Sequence, residues 1–149
     1  MPTITKKKVL NQLQFGGTPY GNKAVLAFNL TTNAVGAFTD SDTATGIALG
    51  DKVRLGVLPA GFKMTDSQVI VSDAFTAALT VSIGFEYVDG VDSTAVPQSV
   101  NYLGAGVALS SAARVRNVTA NAPVTLPKDA YLILTTAGAA NAVVGVADV

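Results

Sequence analysis

The sequence predicts an all-β fold, a sandwich or barrel of about eight strands behind an extended N-terminal arm. Three observations carry that expectation. Apolar residues recur at every second position over one long stretch and several shorter ones. Glycine, proline and aspartate punctuate the chain between those stretches. Only one segment, Val100 to Ala113, has the length for a short helix, and Gly104 and Gly106 make a long loop an equal expectation there.

Residues 1–22 read as the arm and residues 23–149 as the sandwich domain. Lys6, Lys7 and Lys8 form a basic run in the arm, and Gly16, Gly17, Pro19 and Gly21 break any regular element. Ile4, Val9, Leu10, Leu13, Phe15 and Tyr20 give it more apolar anchors than a solvated tail carries, so the arm is expected to lie along its own domain or a neighbour.

In the domain, Leu26, Phe28 and Leu30 alternate with Val25, Ala27 and Asn29. Val53, Leu55 and Val57 alternate with Lys52, Arg54 and Gly56. Gln68 to Ser72 centres on Val69 and Val71. The clearest strand is Leu79 to Val88. Leu79, Val81, Ile83, Phe85 and Tyr87 share one face, and Thr80, Ser82, Gly84 and Glu86 share the other. Asp89-Gly90 supplies turn chemistry after it. In Arg114 to Val118 the two arginines share a face that Val115 opposes. Val124 to Leu126 is a brief strand, and Tyr131 to Thr135 is apolar on both faces. Asn141 to Val149 is a last small-residue strand for an edge or an interface. Leu58-Pro59-Ala60-Gly61 suits a type I turn, and Leu126-Pro127-Lys128-Asp129 weakly echoes it.

The composition narrows the function. The 149 residues include no histidine, cysteine or tryptophan and a single glutamate, Glu86. Acid–base, thiolate and zinc chemistry lose their usual carriers, so no catalytic residue, cofactor or metal is expected. Glu86 stands on the outward face of its strand with no partner evident in the sequence, which leaves a two-carboxylate glycosidase without its second group. Asp40, Asp42, Asp89 and Asp92 sit in turns without calcium-loop spacing and read as solvated turn carboxylates. Charged residues make up 13% of the chain against about 25% in a typical domain, which predicts that part of the surface is covered by association. The formal net charge of zero argues against a nucleic-acid partner. No apolar run is long enough for a membrane helix, and the first residues lack the apolar stretch of a secretory signal. Arg114 and Arg116, joined by Arg54 from another strand, form a candidate basic face for an acidic surface.

One resemblance emerges. The segment Val53-Arg54-Leu55-Gly56-Val57-Leu58-Pro59-Ala60-Gly61-Phe62 leads through Gln68-Val69-Ile70-Val71-Ser72 to Leu79-Thr80-Val81-Ser82-Ile83-Gly84-Phe85. Over residues 24–149 this pattern resembles the small head decoration, or cement, proteins of tailed bacteriophages. The resemblance implies a jelly-roll-like antiparallel β-sandwich that forms a homo-oligomer, a dimer or trimer. It implies residence on the outer surface of an icosahedral head after synthesis in the host cytoplasm. Its partner there would be the major capsid protein, whose neighbouring copies it would bridge. The residues expected to contact the capsid or another subunit are Lys6, Lys7, Lys8, Phe15, Tyr20, Arg114 and Arg116. The rival reading is a receptor- or glycan-binding jelly-roll module of a phage tail or cell surface.

Overall fold

The computed structural model describes residues 2–6, 25–116 and 119–149. They form eleven strands: β1 (Thr3–Thr5), β2 (Asn29–Thr32), β3 (Lys52–Leu58), β4 (Lys63–Met64), β5 (Gln68–Asp73), β6 (Thr80–Tyr87), β7 (Ser99–Ala108), β8 (Ala113–Arg116), β9 (Val124–Thr125), β10 (Ala130–Ala137) and β11 (Gly145–Asp148). No helix occurs among the described residues. The fold is an all-β sandwich. A five-stranded sheet of order β1-β3-β10-β6-β7 faces a four-stranded sheet of order β2-β11-β5-β8, and β4 pairs with β9 in a short ribbon.

The core lies between the two sheets. Val53, Leu55, Val81, Ile83, Phe85, Tyr87, Leu132 and Leu134 enter it from the larger sheet, and Leu30, Val69, Val71 and Ala147 from the smaller. Strand β6 follows its sequence pattern without a break, because each side chain of its apolar face is buried. Phe28 and Leu30 are buried as their alternation requires, while the ladder itself begins at Asn29. The last strand is not an edge: β11 pairs with β2 on one side and β5 on the other.

Ile4 of the arm is buried, and β1 runs parallel to β3, the one parallel pairing in these sheets. Residues 38–42 then tie the two sheets together. Phe38 bridges Thr32, Ser41 bridges Lys6, and the Asp42 amide donates to the Thr5 carbonyl. The opposite side carries the edges β7 and β8, joined through residues 109–112.

Two expectations fail for reasons of register. The segment read as a helix or loop is β7, a ten-residue edge strand. Its pairing with β6 shifts twice, and Gly106 sits at φ 64°, so its burial shows no alternation to read. In β3, the pairing with β10 skips between Leu132 and Ile133. The bulge turns Val57 outward beside Tyr131 and sends Leu58 into the core in its place.

Candidate interaction surfaces

The outer face of the five-stranded sheet is built around an isoleucine. Ile133 points outward between Gly84 and Arg54, yet it is 0% exposed. Lys52 stands one row away, opposite Thr135, and Glu86 one row away on the other side, opposite Tyr131. Their ion pair, Lys52 Nζ to Glu86 Oε2 at 2.6 Å, therefore spans the Ile133 row. Arg54 Nε donates to Glu86 Oε1 at 2.6 Å, and its guanidinium lies 4.6 Å from the Tyr131 ring centroid. The aliphatic stems of Lys52 and Arg54 roof the isoleucine while their heads meet one carboxylate. On the other flank the chain crosses Gly84 so closely that a Cβ there would lie 1.9 Å from the Ser99 carbonyl oxygen. Thr135 Oγ1 is buried in the same face with no hydrogen bond.

This arrangement fixes the charge of the single glutamate. Partial burial pushes the Glu86 carboxyl up, and the hydrogen bonds and charges of Lys52 and Arg54 together outweigh it and hold the group below its ordinary value. A carboxylate kept ionised by two cations is poorly suited to act as a general acid. The sequence hides both partners because they come from β3, which pairs with β10 and is separated from β6 by it in the sheet.

The predicted basic face is divided. Arg114 and Arg116 do share the exposed face of β8, opposite Ile70 and Gln68 of β5. Arg116 is 75% exposed and pairs with Asp66 at 2.7 Å. Arg54 does not join them, because it belongs to the other sheet and is committed to Glu86. Lys6 lies across the molecule, beyond β1 and against Ser41, far from the β7–β8 side. Lys7, Lys8, Phe15 and Tyr20 lie outside the described residues.

Turn carboxylates organise one end of the sandwich. Asp89 accepts from the Val91 amide and from Lys128, and Asp92 accepts from the Ser93 and Gln98 amides. Lys128 Nζ also sits 4.7 Å from the centroid of Tyr87, whose hydroxyl donates to the Val96 carbonyl at 2.6 Å. The two Leu-Pro turns that echo each other in sequence meet here. Gly61 donates to the Leu126 carbonyl, the Ala60 amide to Asp129 Oδ1, and β4 pairs with β9 beyond them. The Gly61 amide thus reaches the second turn and does not close on Leu58, as a hydrogen-bonded type I turn requires. A groove of about 370 Å³ opens beside them, lined by Phe28, Leu58, Phe62, Met64 and Leu126. At the sheet margin, Asp42 accepts from the Thr5 amide, and Asp40 is exposed at φ 63°. Among the described residues no three His, Cys, Asp or Glu side chains converge as a metal site.

No family model and no curated protein matches the chain. Among solved structures, a chain of the structure described as "Capsid of Ralstonia phage GP4" has the same fold, with a TM-score of 0.65. The alignment spans 99% of this chain and 94% of that one at 17% sequence identity.

Proposed function

We propose that this chain is a structural protein of a bacteriophage virion, and within that role a decoration protein of the head. On this reading it assembles as a homo-oligomer on the outer surface of an icosahedral shell and bridges neighbouring major capsid proteins. The observation that carries the reading is the end-to-end likeness in fold to a chain from a phage capsid structure, across almost the full length of both. The residues agree with it. The chain lacks histidine and cysteine, and its single glutamate is tied up in ion pairs, so the proposed role is adhesive and non-enzymatic. The sandwich is a stiff body, and a repeating lattice raises the effective concentration of each modest contact. A protein that binds an expanded shell better than an unexpanded one stabilises the expanded state by mass action. A glycan-binding module needs exposed aromatic platforms, and among the described aromatic side chains Phe62 alone is exposed.

The test is co-sedimentation of the purified protein with expanded and unexpanded heads of the phage that encodes it. Saturable binding to expanded heads, with a raised temperature of DNA release, is expected. A protein that pellets with neither form overturns the proposal.

A further inference from the structure

The described residues break off after Lys6 and resume at Val25, and both points lead to the same end of the sandwich. Strand β1 runs parallel to β3, with Thr3 beside Lys52 and Thr5 beside Arg54, so it heads toward Leu58, where β3 finishes. Val25 to Phe28 stand at that end and line the groove of about 370 Å³ beside the two Leu-Pro turns. The Phe28 amide and carbonyl pair with Val149 at 2.9 and 2.8 Å, which fixes this part of the wall as a continuation of the β2–β11 ladder. The bond from Gly61 to Leu126 and the β4–β9 ribbon fix another part. Leu58, Met64, Leu103, Leu126 and Leu132 make the interior apolar. The walls are held by the body itself, so little ordering entropy is lost in them on docking.

We propose that this groove is the seat of residues 7–24 of the same chain, which place apolar side chains in it. Three features select that occupant. The first is attachment. The segment joins the groove wall at Val25 and is aimed at this end of the sandwich from Lys6. It competes as an intramolecular partner at an effective concentration on the order of millimolar, which a second copy or a separate peptide at micromolar concentration lacks. The second is reach. At about 3.3 Å per residue, residues 7–24 extend to roughly 60 Å, against a radius of gyration of about 15 Å for a domain of this length. The segment is therefore long enough to enter the groove and still close the connection.

The third is chemistry. Val9, Leu10, Leu13, Phe15 and Tyr20 supply apolar side chains for the interior, and Lys7, Lys8 and Lys23 come without any acidic residue. The loops at the receiving end, residues 59–67, 88–98 and 126–129, carry Asp66, Asp89, Asp92 and Asp129 against Lys63 and Lys128, and Asp148 lines the groove itself. The loops of the opposite end, residues 33–36, 46–50, 74–79, 109–112 and 138–144, contain no charged residue and give these lysines nothing to pair with. Apolar anchors flanked by cations thus match an apolar groove with an acidic surround. The inference does not depend on the virion role.

The chain has no cysteine, so introduced pairs report contact without background. Met64→Cys, half-buried in the groove, is combined in turn with Leu10→Cys, Leu13→Cys, Phe15→Cys and Tyr20→Cys under mild oxidation. At least one pair is expected to close within a single chain, read by non-reducing electrophoresis and peptide mass spectrometry. Val143→Cys, exposed at the opposite end, is expected to close with none of the four. No bond to position 64, or equal bonding at position 143, overturns the proposal. Bonds to position 64 that form only between chains overturn it too and give the groove to the arm of a second copy. A second measurement leaves the groove intact. The variant Leu10→Ser, Leu13→Ser, Phe15→Ser, Tyr20→Ser is expected to keep its circular dichroism spectrum and to bind an apolar fluorescent dye several-fold more than wild type. A folded variant with unchanged dye binding overturns the proposal. Co-sedimentation with heads judges the virion role separately.

Discussion

Phe85→Ala tests the core where it is most tightly closed. The ring is 0% exposed and lies on the unbroken inner face of β6. Its centroid is 5.8 Å from that of Tyr87 and 5.4 Å from that of Tyr102, both edge-on. Truncating a phenylalanine in such a site costs about 3–5 kcal/mol in lost transfer energy and cavity formation. Each aromatic pair adds about 0.5–1.5 kcal/mol beyond its buried area, which places the expectation in the upper half of that range. A domain of this size has about 5–15 kcal/mol in total, so the variant folds but loses a large share of its margin. At about 2–4 °C per kcal/mol the melting temperature falls by roughly 8–20 °C. Urea unfolding followed by far-ultraviolet circular dichroism measures the cost, at one protein concentration for both forms so that the comparison is independent of any association. The slope should be unchanged, since the same surface is exposed. A loss below about 1 kcal/mol refutes the packing argument.

Glu86→Gln should lower stability at neutral pH by about 1–2 kcal/mol, because it removes the charge shared by Lys52 and Arg54 above Ile133. The Glu86 carboxyl titrates below its unfolded value of about 4.3, so its contribution is present above that pH and is lost as pH falls through the folded value. Melts from pH 7 to pH 3 should therefore show the gap between wild type and variant closing below about pH 4.3, and a gap independent of pH counts against the ion pair. Gly84→Ala should cost about 1–3 kcal/mol in urea, since its Cβ meets the Ser99 carbonyl and the crossing segment must shift; a neutral result shows that the segment does not cross there. Thr135→Val should raise stability by about 1 kcal/mol in the same assay, because it replaces an unpaired buried hydroxyl with a methyl of like shape, and a destabilised variant reveals a partner for that hydroxyl.

The sequence exposes those parts of the fold where pleat and burial keep one register. In β6 the period of two runs from Thr80 to Tyr87 without interruption, and the buried face is the one the alternation names. Where the register slips, the pattern misleads. Val57 looks like a core residue and Leu58 like the start of a turn, until the bulge in β3 exchanges them. Strand β7 carries two slips and a left-handed glycine, and reads equally as a short helix or a loop. Ile133 makes β10 apolar on both faces, and the sequence cannot say that a glutamate from β6 and two cations from β3 cover the second one. The shared face of Arg114 and Arg116 is local to one strand and legible, whereas the separation of Arg54 from them depends on which sheet each strand joins. The loops 33–36, 46–50, 74–79, 109–112 and 138–144 are individually plain in sequence and carry no charge, and only the antiparallel order shows that they gather at one end of the sandwich.

The placement of β1 governs how the body bears a pull. Because its three residues run parallel to β3, tension drawn lengthwise through this strand strains its hydrogen bonds together in shear, and they cannot unzip one at a time. The bridges at Ser41 and Asp42 share that load with the smaller sheet, so a tug at this margin reaches both leaves of the sandwich at once.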